Sequence, residues 1–467
     1  MNILLIISDS LRADACGCYG GFAKTPNLDR LASQATRFPQ CHAASFPTGP
    51  MRKDLYSGRF TFTYTPWAGK LDRGEALLAV ELKRHGYATA FVGDTPGAWA
   101  FDEGFDYFDR VEAQRADPGT PRHPPLPAPM RKFRCPKSRA ERAVRQRASW
   151  REEDTPVAQT MRAACRWLES RPDSVGARYG RREPFFLCVD TFDPHEPWLA
   201  PKYYVDLYDP NYRGHELIDP AYEPSGYASP REIEHMRWLY AAEVTLVDRW
   251  VGYLLEGLER MRLADSTAVI FCSDHGFYHG EHGLIGKVRL NRRDRITGRY
   301  PLYATMTHIP LIVRVPGLSG PRAHGAFCQP PDIMPTMLEL VGAPIPRTVQ
   351  GRSLLPLMRG EKKLLRDAAV SSCTYIQDDT VRCPTSLRSS RYLYVYGGDE
   401  WPGELFDLRA DPEERQNIIG RERVIGERMH GRLLRFLESI ECPPERIAGR
   451  REFLPKPRRT LPRHRVI

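Results

Sequence analysis

Side chains that together could hold a cation and attack an ester stand at strand ends and at a helix start in this chain of 467 residues. "SFPTGPMR" places Thr48 four residues before Arg52, where a loop gives way to a helix. Asp9 follows the apolar run "NILLIIS", and "SDHG" places Asp274 beside His275 after another apolar run. Two carboxylates, an imidazole and a hydroxyl suit one divalent cation, which would lower the pKa of the hydroxyl and make it nucleophilic near neutral pH.

Thr48 also has a plainer interpretation, because threonine is a common N-cap and Pro50 suits the first turn of a helix. The sequence leaves the cap and the nucleophile open, and the two roles are compatible. Arg52 lies one helical turn after Thr48 and would point back to the same helix N-terminus. Its planar guanidinium could hold the reacting oxygen or an anionic ester oxygen there.

The elements that must position these residues alternate between strand and helix. The apolar runs "NILLIIS", "YATAFVG", "PFFLCVD" and "STAVIFCS" are separated by stretches with helical periodicity. This alternation predicts an α/β fold with a mostly parallel sheet sandwiched by helices, which binds ligands at the carboxyl ends of its strands. Asp9, Asp94, Asp193 and Asp274 all fall at such ends.

We predict a catalytic domain over residues 1–365 and a small C-terminal α+β subdomain with an antiparallel sheet over 366–442, where short alternating strands begin. The net charge of +10 belongs to two appendages: a basic, proline-rich excursion over 115–151, with eleven Lys or Arg against two acids, and a basic tail over 443–467. Solvated arms that pack on a neighbouring subunit or guard the cleft are favoured. No nucleic-acid-binding motif accompanies the charge, so we expect a homo-oligomer and no nucleic-acid partner.

The ends and the hydropathy of the chain bear on its location. No window approaches the ~20 apolar residues of a membrane span. The first strand begins at residue 2 without a basic leader or a cleavage site. We therefore expect a cytoplasmic protein that has no membrane partner.

In their order along the chain, several motifs resemble the sulfatase branch of the alkaline phosphatase superfamily. The matching blocks, which span residues 2 to about 420, are "NILLIISDSLRAD", "GCYG", "KTPNLDRLASQATRF", "TGPMRKDLYSGR", "SDHGFYHGEHGLIGK", "IPLIVRVPG" and "ELFDLRADPEERQNI". The resemblance implies the alkaline-phosphatase-like fold. It also implies that Asp9, Thr48, Asp274 and His275 are ligands of one divalent cation.

The same resemblance implies roles for further residues. Arg52 would be the partner of the nucleophile, and Lys287 and His195 would contact the transferred group or the leaving oxygen. Thr95 resembles a threonine of the superfamily's phosphonate monoester hydrolases and phosphodiesterases. Asp94 replaces a basic block of sulfatases and would either bind the leaving-group side of the substrate or only end a strand.

Departures from the sulfatase pattern change the expected reaction. Sulfatases convert the cysteine or serine of the nucleophile motif to formylglycine, and Thr48 cannot be that precursor, whereas a threonine alkoxide can still attack phosphorus. Ser10 stands where sulfatases usually have a second Asp. The ligand set resembles that of phosphonate monoester hydrolases, and three oxygens with one nitrogen suit Mn²⁺ or Zn²⁺ better than Ca²⁺.

We therefore expect a metal-dependent hydrolase of phosphate diesters or phosphonate monoesters, which attacks a small anionic ester and forms a phospho-enzyme at Thr48. Two alternatives stay open. One is a sulfatase that acts without formylglycine, and the other is a catalytically silent relative that binds an anionic ligand or partner through the cleft. His279, His282 and His308 are expected to support the core or the site rather than to hold a second metal.

Overall fold

The computed structural model describes residues 1–71, 74–97, 101–112, 125–171, 183–291, 295–318, 322–376, 383–398 and 401–456. The strands within these ranges are β1 (Asn2–Ser8), β2 (Thr36–Arg37), β3 (Ser45–Phe46), β4 (Ala88–Gly93), β5 (Tyr107–Arg110), β6 (Phe185–Thr191), β7 (Thr267–Ser273), β8 (Tyr278–His279), β9 (Ile285–Gly286), β10 (Val288–Leu290), β11 (Ile296–Arg299), β12 (Leu311–Arg314), β13 (Ala368–Cys373), β14 (Thr385–Ser389), β15 (Tyr392–Tyr396) and β16 (Glu404–Asp407). The α-helices are α1 (Pro26–Ser33), α2 (Thr48–Ser57), α3 (Leu78–Arg84), α4 (Lys137–Ser149), α5 (Pro156–Ser170), α6 (Lys202–Val205), α7 (Pro230–Arg260), α8 (Ala304–Thr307), α9 (Ile333–Val341), α10 (Leu355–Met358), α11 (Arg423–Ser439) and α12 (Pro444–Ala448).

The main sheet has the strand order β2-β12-β7-β1-β6-β4-β5. The strands from β7 to β5 in this order run parallel, and β12 is antiparallel to both of its neighbours. Side chains of β1 alternate between two hydrophobic clusters, with Leu4 and Ile6 in one and Ile3, Leu5 and Ile7 in the other. A strand that is buried on both faces needs a continuous apolar run. The predicted α/β fold with a mostly parallel sheet is confirmed.

The second sheet reaches back to the segment that carries the predicted nucleophile. Its strand order is β16-β15-β14-β13-β3, and all of its pairs are antiparallel except the parallel pair of β13 with β3. In that pair Ser372 lies opposite Ser45, three residues before Thr48. The segment predicted as a subdomain, 366–442, therefore supplies the strand against which the start of the Thr48 loop is held.

The basic excursion packs on the protein's own core where it is described. Its residues 115–124 lie outside the described ranges. Beyond them Phe133 and Cys135 are buried, and Lys132 pairs with Glu232 of α7 at 2.5 Å. The expectation of a solvated arm is wrong for this part of the chain. Homo-oligomerisation stays a prediction.

The described part of the basic tail is also anchored. Arg450 is completely buried, and its guanidinium carbon lies 3.3 Å from the centroid of the Tyr375 ring. A guanidinium stacked on an aromatic face gains cation–π stabilisation when it is shielded from water. The tail to residue 456 is therefore part of the fold, and residues 457–467 lie outside the described ranges.

The 31-residue helix α7 packs beside α1 and α5. It begins with a capping box, in which the Ser229 hydroxyl accepts from the Glu232 amide and the Glu232 carboxylate accepts from the Ser229 amide. Neither α7 nor any other helix in the described ranges is long and apolar enough to cross a membrane.

Gly58 ends α2, and its substitution tests how closely the end of this helix packs against Val349. It has φ 67°, and a Cβ at this position would lie 2.8 Å from Val349 Cγ1. Gly58→Ala should lower the free energy of unfolding by about 1–2 kcal/mol for the left-handed backbone, plus a further loss from the clash with Val349. Gly342→Ala is the matched control, because Gly342 ends α9 at φ 75° and, apart from its chain neighbours, no atom of the described residues lies within 4 Å of the added methyl group. Urea denaturation measures the free energy of unfolding of both variants, and equal losses would contradict the predicted clash of Gly58→Ala with Val349.

Candidate metal centre and active site

The carboxyl ends of β1 and β7 hold the candidate cation ligands. Asp9 follows β1, Asp274 follows β7, and both side chains are completely buried. His275 comes next in the chain, and one donor atom from each of the three residues lies within 4.8 Å of the other two. The two strands are neighbours in parallel register, with Ser8 opposite Ser273, so the acids that follow them must lie side by side.

Ser10 aims both carboxylates. It adopts φ 62°, in the left-handed region that serine rarely occupies. From there its amide donates to Asp274 Oδ1 at 2.8 Å and its hydroxyl donates to Asp9 Oδ1 at 2.7 Å. The residue that stands in place of a second Asp thus orients the two acids.

His275 presents Nε2 to the cluster. Its Nδ1 lies 2.9 Å from the Gly276 carbonyl oxygen, which can only accept, so Nδ1 carries the proton and Nε2 keeps its lone pair. Burial and then the Lys287 ammonium lower the pKa of His275 to about 3, so the ring is neutral near neutral pH. A neutral imidazole is the form that ligates metal ions.

The donor set fits a divalent cation. Asp9 Oδ2 is buried and has no hydrogen-bond partner among the described residues. Burial and then the Asp274 carboxylate raise the pKa of Asp9, because two acids share one dry space. A cation held by Asp9, Asp274 and His275 would relieve that repulsion, and carboxylates with an imidazole suit Mn²⁺ or Zn²⁺. In the described part of the chain no second group of acids, cysteines and histidines has such spacing.

Thr48 is the first residue of α2 and lies against this cluster. Its Oγ1 is 3.3 Å from His275 Nε2. The cap position of α2 is Pro47, and no side chain of the described residues caps the helix N-terminus, so the interpretation of Thr48 as an N-cap is wrong. Thr48 is half-buried, at the boundary between the buried acids and solvent. Part of Thr48 is therefore exposed to solvent, while its hydroxyl lies next to the cation ligand His275.

Asp54 fixes α2 and with it the position of Thr48. Asp54 Oδ2 accepts from the Ser45 amide at 2.7 Å, and its Oδ1 accepts from the Thr61 amide at 2.8 Å. The hydroxyls of the same two residues also donate to Oδ1, at 2.7 Å each. One buried carboxylate thus ties the helix to the strand before it and to the turn after it.

Arg52 is 1% exposed, and each of its five N–H groups has a partner within the protein. Nε and Nη2 donate to the two carboxylate oxygens of Asp190 at 2.7 Å each, and Nη2 also lies 3.4 Å from Thr95 Oγ1. Nη1 donates to Asp274 Oδ2 at 2.8 Å and to the Thr48 carbonyl oxygen at 3.1 Å. These contacts use the donors that were expected to hold an ester oxygen, so Arg52 is a positioning residue here.

Asp190, near the end of β6, is the functional residue that sequence analysis missed. It is completely buried and accepts from Thr95 Oγ1 at 2.7 Å in addition to its paired bonds with Arg52. The signal is in "FFLCVD", where an acid directly ends the apolar run, whereas Asp193 was predicted to lie at the end of this strand. Thr95 is buried and bound within this network, so the structure does not place it as a substrate-binding residue.

Asp94 lies outside the cluster. Its Oδ1 accepts from the Thr160 hydroxyl and from the Phe192 amide, at 3.1 Å each, and so joins the end of β4 to α5 and to the segment after β6. Burial and then the Asp193 carboxylate raise the pKa of Asp94 to about 8. These contacts favour the strand-end interpretation of Asp94 over the substrate-binding one.

Lys287 and His195 border the cluster. Both are buried, and Lys287 Nζ lies 3.7 Å from Asp9 Oδ1. His195 Nδ1 lies 2.6 Å from the Glu196 carbonyl oxygen, so its Nε2 keeps the lone pair. Burial, followed by the Lys287 ammonium, lowers the pKa of His195 well below its ordinary value. A neutral ring can accept a proton but has none to give at Nε2, so Lys287 fits the protonation of a leaving oxygen better than His195 does.

Arg134 brings the basic excursion into the wall of the site. It donates to Glu196 Oε1 at 2.7 Å, next to His195, and its Nε lies 3.3 Å from Asp219 Oδ1. Its guanidinium carbon also lies 5.0 Å from the centroid of the Tyr222 ring. The excursion therefore supports the segment that carries His195.

The fold and the cluster at its sheet edge define an enzyme of the alkaline phosphatase superfamily. A family model described as "Sulfatase" matches residues 1–343, and one described as "N-sulphoglucosamine sulphohydrolase, C-terminal" matches residues 297–439. The chain belongs to the sulfatase family, whose enzymes bind a divalent metal.

Relatives of this chain carry out different named activities. It is 25% identical to the N-acetylglucosamine-6-O-sulfatase of Bacteroides thetaiotaomicron, over 90% of this chain and 83% of the relative. It is 26% identical to the multifunctional alkaline phosphatase superfamily protein PehA of Trinickia caryophylli, over 90% and 91%. The crystal structure of a phosphonate monoester hydrolase of Agrobacterium radiobacter superposes with a TM-score of 0.71 at 21% identity, covering 94% of this chain and 95% of the other.

Asp190→Asn tests the importance of the paired bond to Arg52. The amide removes the charge and turns one acceptor into a donor that faces Arg52, so the free energy of unfolding should fall by about 3–5 kcal/mol, as for a broken buried ion pair. Thr191→Val is the matched control, because Thr191 is equally buried on the same strand and its Oγ1 has no hydrogen-bond partner among the described residues. It should cost less than about 1 kcal/mol. Chemical denaturation measures the free energy of unfolding of both variants. Similar losses for Asp190→Asn and Thr191→Val would contradict the importance of the pair between Asp190 and Arg52.

Asp94 predicts a pH dependence of stability. Its pKa rises from an ordinary 3.8 to about 8 in the folded protein, so between these values the folded chain holds a proton that the unfolded chain has released. Stability from this group is therefore present at low pH and lost as the pH rises toward 8. In Asp94→Asn, which does not titrate, the free energy of unfolding should fall less steeply between pH 5 and 8 than in the wild type. Parallel curves from urea denaturation would contradict this.

Proposed function

We propose that this sulfatase-family enzyme hydrolyses phosphate diesters or phosphonate monoesters, with Thr48 as the nucleophile beside one divalent cation. The observation that carries the proposal is the Thr48 hydroxyl at the start of α2, 3.3 Å from His275 Nε2. Threonine carries a methyl group on Cβ, so its oxidation would yield a ketone and not the aldehyde of formylglycine. Direct attack by the hydroxyl on phosphorus needs no such conversion.

A cation held by Asp9, Asp274 and His275 would supply the positive charge that favours an ionised hydroxyl and an anionic ester. Thr48 lies at the N-terminus of a ten-residue helix, whose dipole also favours negative charge. Arg52 holds the Thr48 carbonyl and the Asp274 carboxylate at the same time. The hydroxyl and a cation ligand are thereby kept in one fixed geometry, as a preorganised site requires.

The proton transfers follow from the states of Lys287 and His195. Thr48 reacts as the alkoxide, after its hydroxyl has released its proton to solvent. Its Oγ1 forms a bond to phosphorus, the bond from phosphorus to the alcohol oxygen breaks, and the Lys287 ammonium protonates the departing alkoxide. Water then attacks the phosphothreonine, and neutral His195 takes the proton of that water through Nε2. The Thr48 oxygen leaves with the bonding electrons, and exchange with solvent returns the proton from His195 to Lys287.

Sulfate ester hydrolysis without formylglycine is the second candidate. The family model and the N-acetylglucosamine-6-O-sulfatase relative favour it. Phosphate diesters, phosphonate monoesters and sulfate monoesters are all singly charged tetrahedral anions, so the charge of the site accommodates each of them. The nature of the nucleophile, threonine rather than formylglycine, favours the phosphorus esters.

A panel of nitrophenyl substrates tests the choice. The protein loaded with Mn²⁺ or Zn²⁺ should hydrolyse a bis-nitrophenyl phosphate or a nitrophenyl phosphonate at least about 10²-fold faster, in kcat/KM, than nitrophenyl sulfate. Hydrolysis of the sulfate alone would overturn the proposal in favour of the second candidate. Absence of turnover on every substrate would favour the catalytically silent relative.

Substitution of Thr48 tests the nucleophile separately. Thr48→Ala should lower kcat by about 10³-fold or more, because no oxygen remains to form the covalent intermediate. Thr48→Ser is the matched control, since it retains a hydroxyl and should retain measurable turnover. Mass spectrometry of acid-quenched wild-type enzyme should find the transferred phosphoryl or phosphonyl group on the Thr48 peptide. Full activity of Thr48→Ala would remove Thr48 as the nucleophile, whatever the substrate.

A further inference from the structure

An arginine-rich cavity lies at the end of α2 opposite to Thr48. Its volume is about 620 Å³, within the range of small-molecule sites. Because α2 has ten residues at 1.5 Å each, the cavity begins ~15 Å from Thr48 along the helix axis. A group bound there is not the ester that Thr48 attacks. The arginines that line the cavity are Arg59, Arg347, Arg352, Arg366, Arg432 and Arg435.

The floor of the cavity is held by hydrogen bonds between three parts of the chain. The Gln350 and Gly351 amides donate to the Gly58 carbonyl oxygen at 2.8 and 2.9 Å. The Gln350 side chain accepts from the Phe60 amide at 2.9 Å and donates to the Ile440 carbonyl oxygen at 2.6 Å. The end of α2, the segment between α9 and α10, and the end of α11 are thus joined into one wall.

The positive charge of the cavity exceeds the negative charge around it. Glu441 also lines the cavity, and three of the arginines pair with acids. The remaining three arginines have no acidic partner among the described residues. The pairs are Arg59 with Glu75, Arg366 with Asp332 and Arg432 with Asp367.

Arg366 carries an unmet hydrogen-bonding group. Its side chain is 10% exposed, and its Nη2 donates to Asp332 Oδ1 at 2.5 Å. Its Nη1 is buried and has no hydrogen-bond partner among the described residues. A buried donor without a partner destabilises the folded protein. The Arg366 side chain lines the cavity, and the guanidinium fork matches the oxygens of phosphate and sulfate.

We propose that this cavity binds an organic anion that carries two or more phosphate or sulfate groups. Arg366 inside the cavity and the exposed Arg347 and Arg435 at its rim offer separate contact points. The volume also exceeds what one tetrahedral oxyanion fills. Binding here is independent of the reaction at Thr48 and gives the enzyme a second anion site.

Isothermal titration calorimetry of the metal-loaded protein tests this site with two sugar anions, fructose 1,6-bisphosphate and glucosamine 2-N,6-O-disulfate. Arg347→Gln/Arg435→Gln removes two rim arginines and leaves the buried pair of Arg366 intact. In this variant the Kd of one binding event should rise by about tenfold or more, because at least one charge-assisted hydrogen bond to the anion is lost. Inorganic phosphate should bind this site more weakly than the bisphosphate.

The matched control removes the same charge elsewhere in the C-terminal region. Arg421→Gln/Arg428→Gln replaces two exposed arginines that do not line the cavity, and the Kd should change by less than about twofold. Equal weakening in both double variants, or no binding of either sugar anion to the wild type, would overturn the proposal. Binding of only the bisphosphate would identify phosphate as the recognised group, and binding of only the disulfate would identify sulfate.

Kinetics separate this site from the active site. The kcat/KM of the Arg347→Gln/Arg435→Gln variant, and the inhibition of hydrolysis by each sugar anion, should equal those of the wild type. A parallel loss of activity and of anion binding would overturn the proposal, because the anion would then be bound at the active site. Calorimetry needs no turnover, so its result stands even if the proposed reaction at Thr48 fails its own test.

Discussion

The candidate active site depends on one buried guanidinium. A parallel sheet brings the carboxyl ends of β1, β6 and β7 together, and an acid lies within one residue of the end of each strand. Buried acids at such spacing repel one another, and their pKa values rise unless a cation compensates them. Arg52 supplies part of that charge, since it pairs with Asp190 and Asp274 and lies 3.4 Å from Asp9, although the pKa of Asp9 is still raised.

The same arginine couples the sheet to the nucleophile. Arg52 and Thr48 lie one turn apart on α2, so the bonds that anchor Arg52 to the sheet also fix the start of the helix. Asp54 secures the other side of this turn by its bonds to Ser45 and Thr61. Because Ser45 pairs with Ser372, the second sheet helps to position Thr48. The active site thus requires both sheets, which explains why the C-terminal region is integral to the enzyme.

The sequence predicted those site residues that local patterns mark. Asp9 and Asp274 each follow an apolar run, and such acids must reach the same edge of a parallel sheet. Asp190 carries the same signal, an acid at the end of an apolar run, but Asp193 lies close by in the sequence, and only the packed structure shows that Asp190 faces Arg52. Composition gave a wrong prediction for Arg134 and Lys132. A basic, proline-rich segment is typical of a solvated arm, but each of these side chains pairs with a buried acid.

Anomalous diffraction from crystals of the protein loaded with Mn²⁺ or Zn²⁺ tests most directly whether one cation lies beside Thr48. We expect one strong peak between the Asp9 and Asp274 carboxylates and His275 Nε2, at metal–ligand distances of about 2.0–2.2 Å. Thr48 Oγ1 should lie next to the peak, with Arg52 still bound to Asp190. A peak elsewhere, or a cation at this place with the Thr48 side chain turned away from it, would contradict the proposed active site.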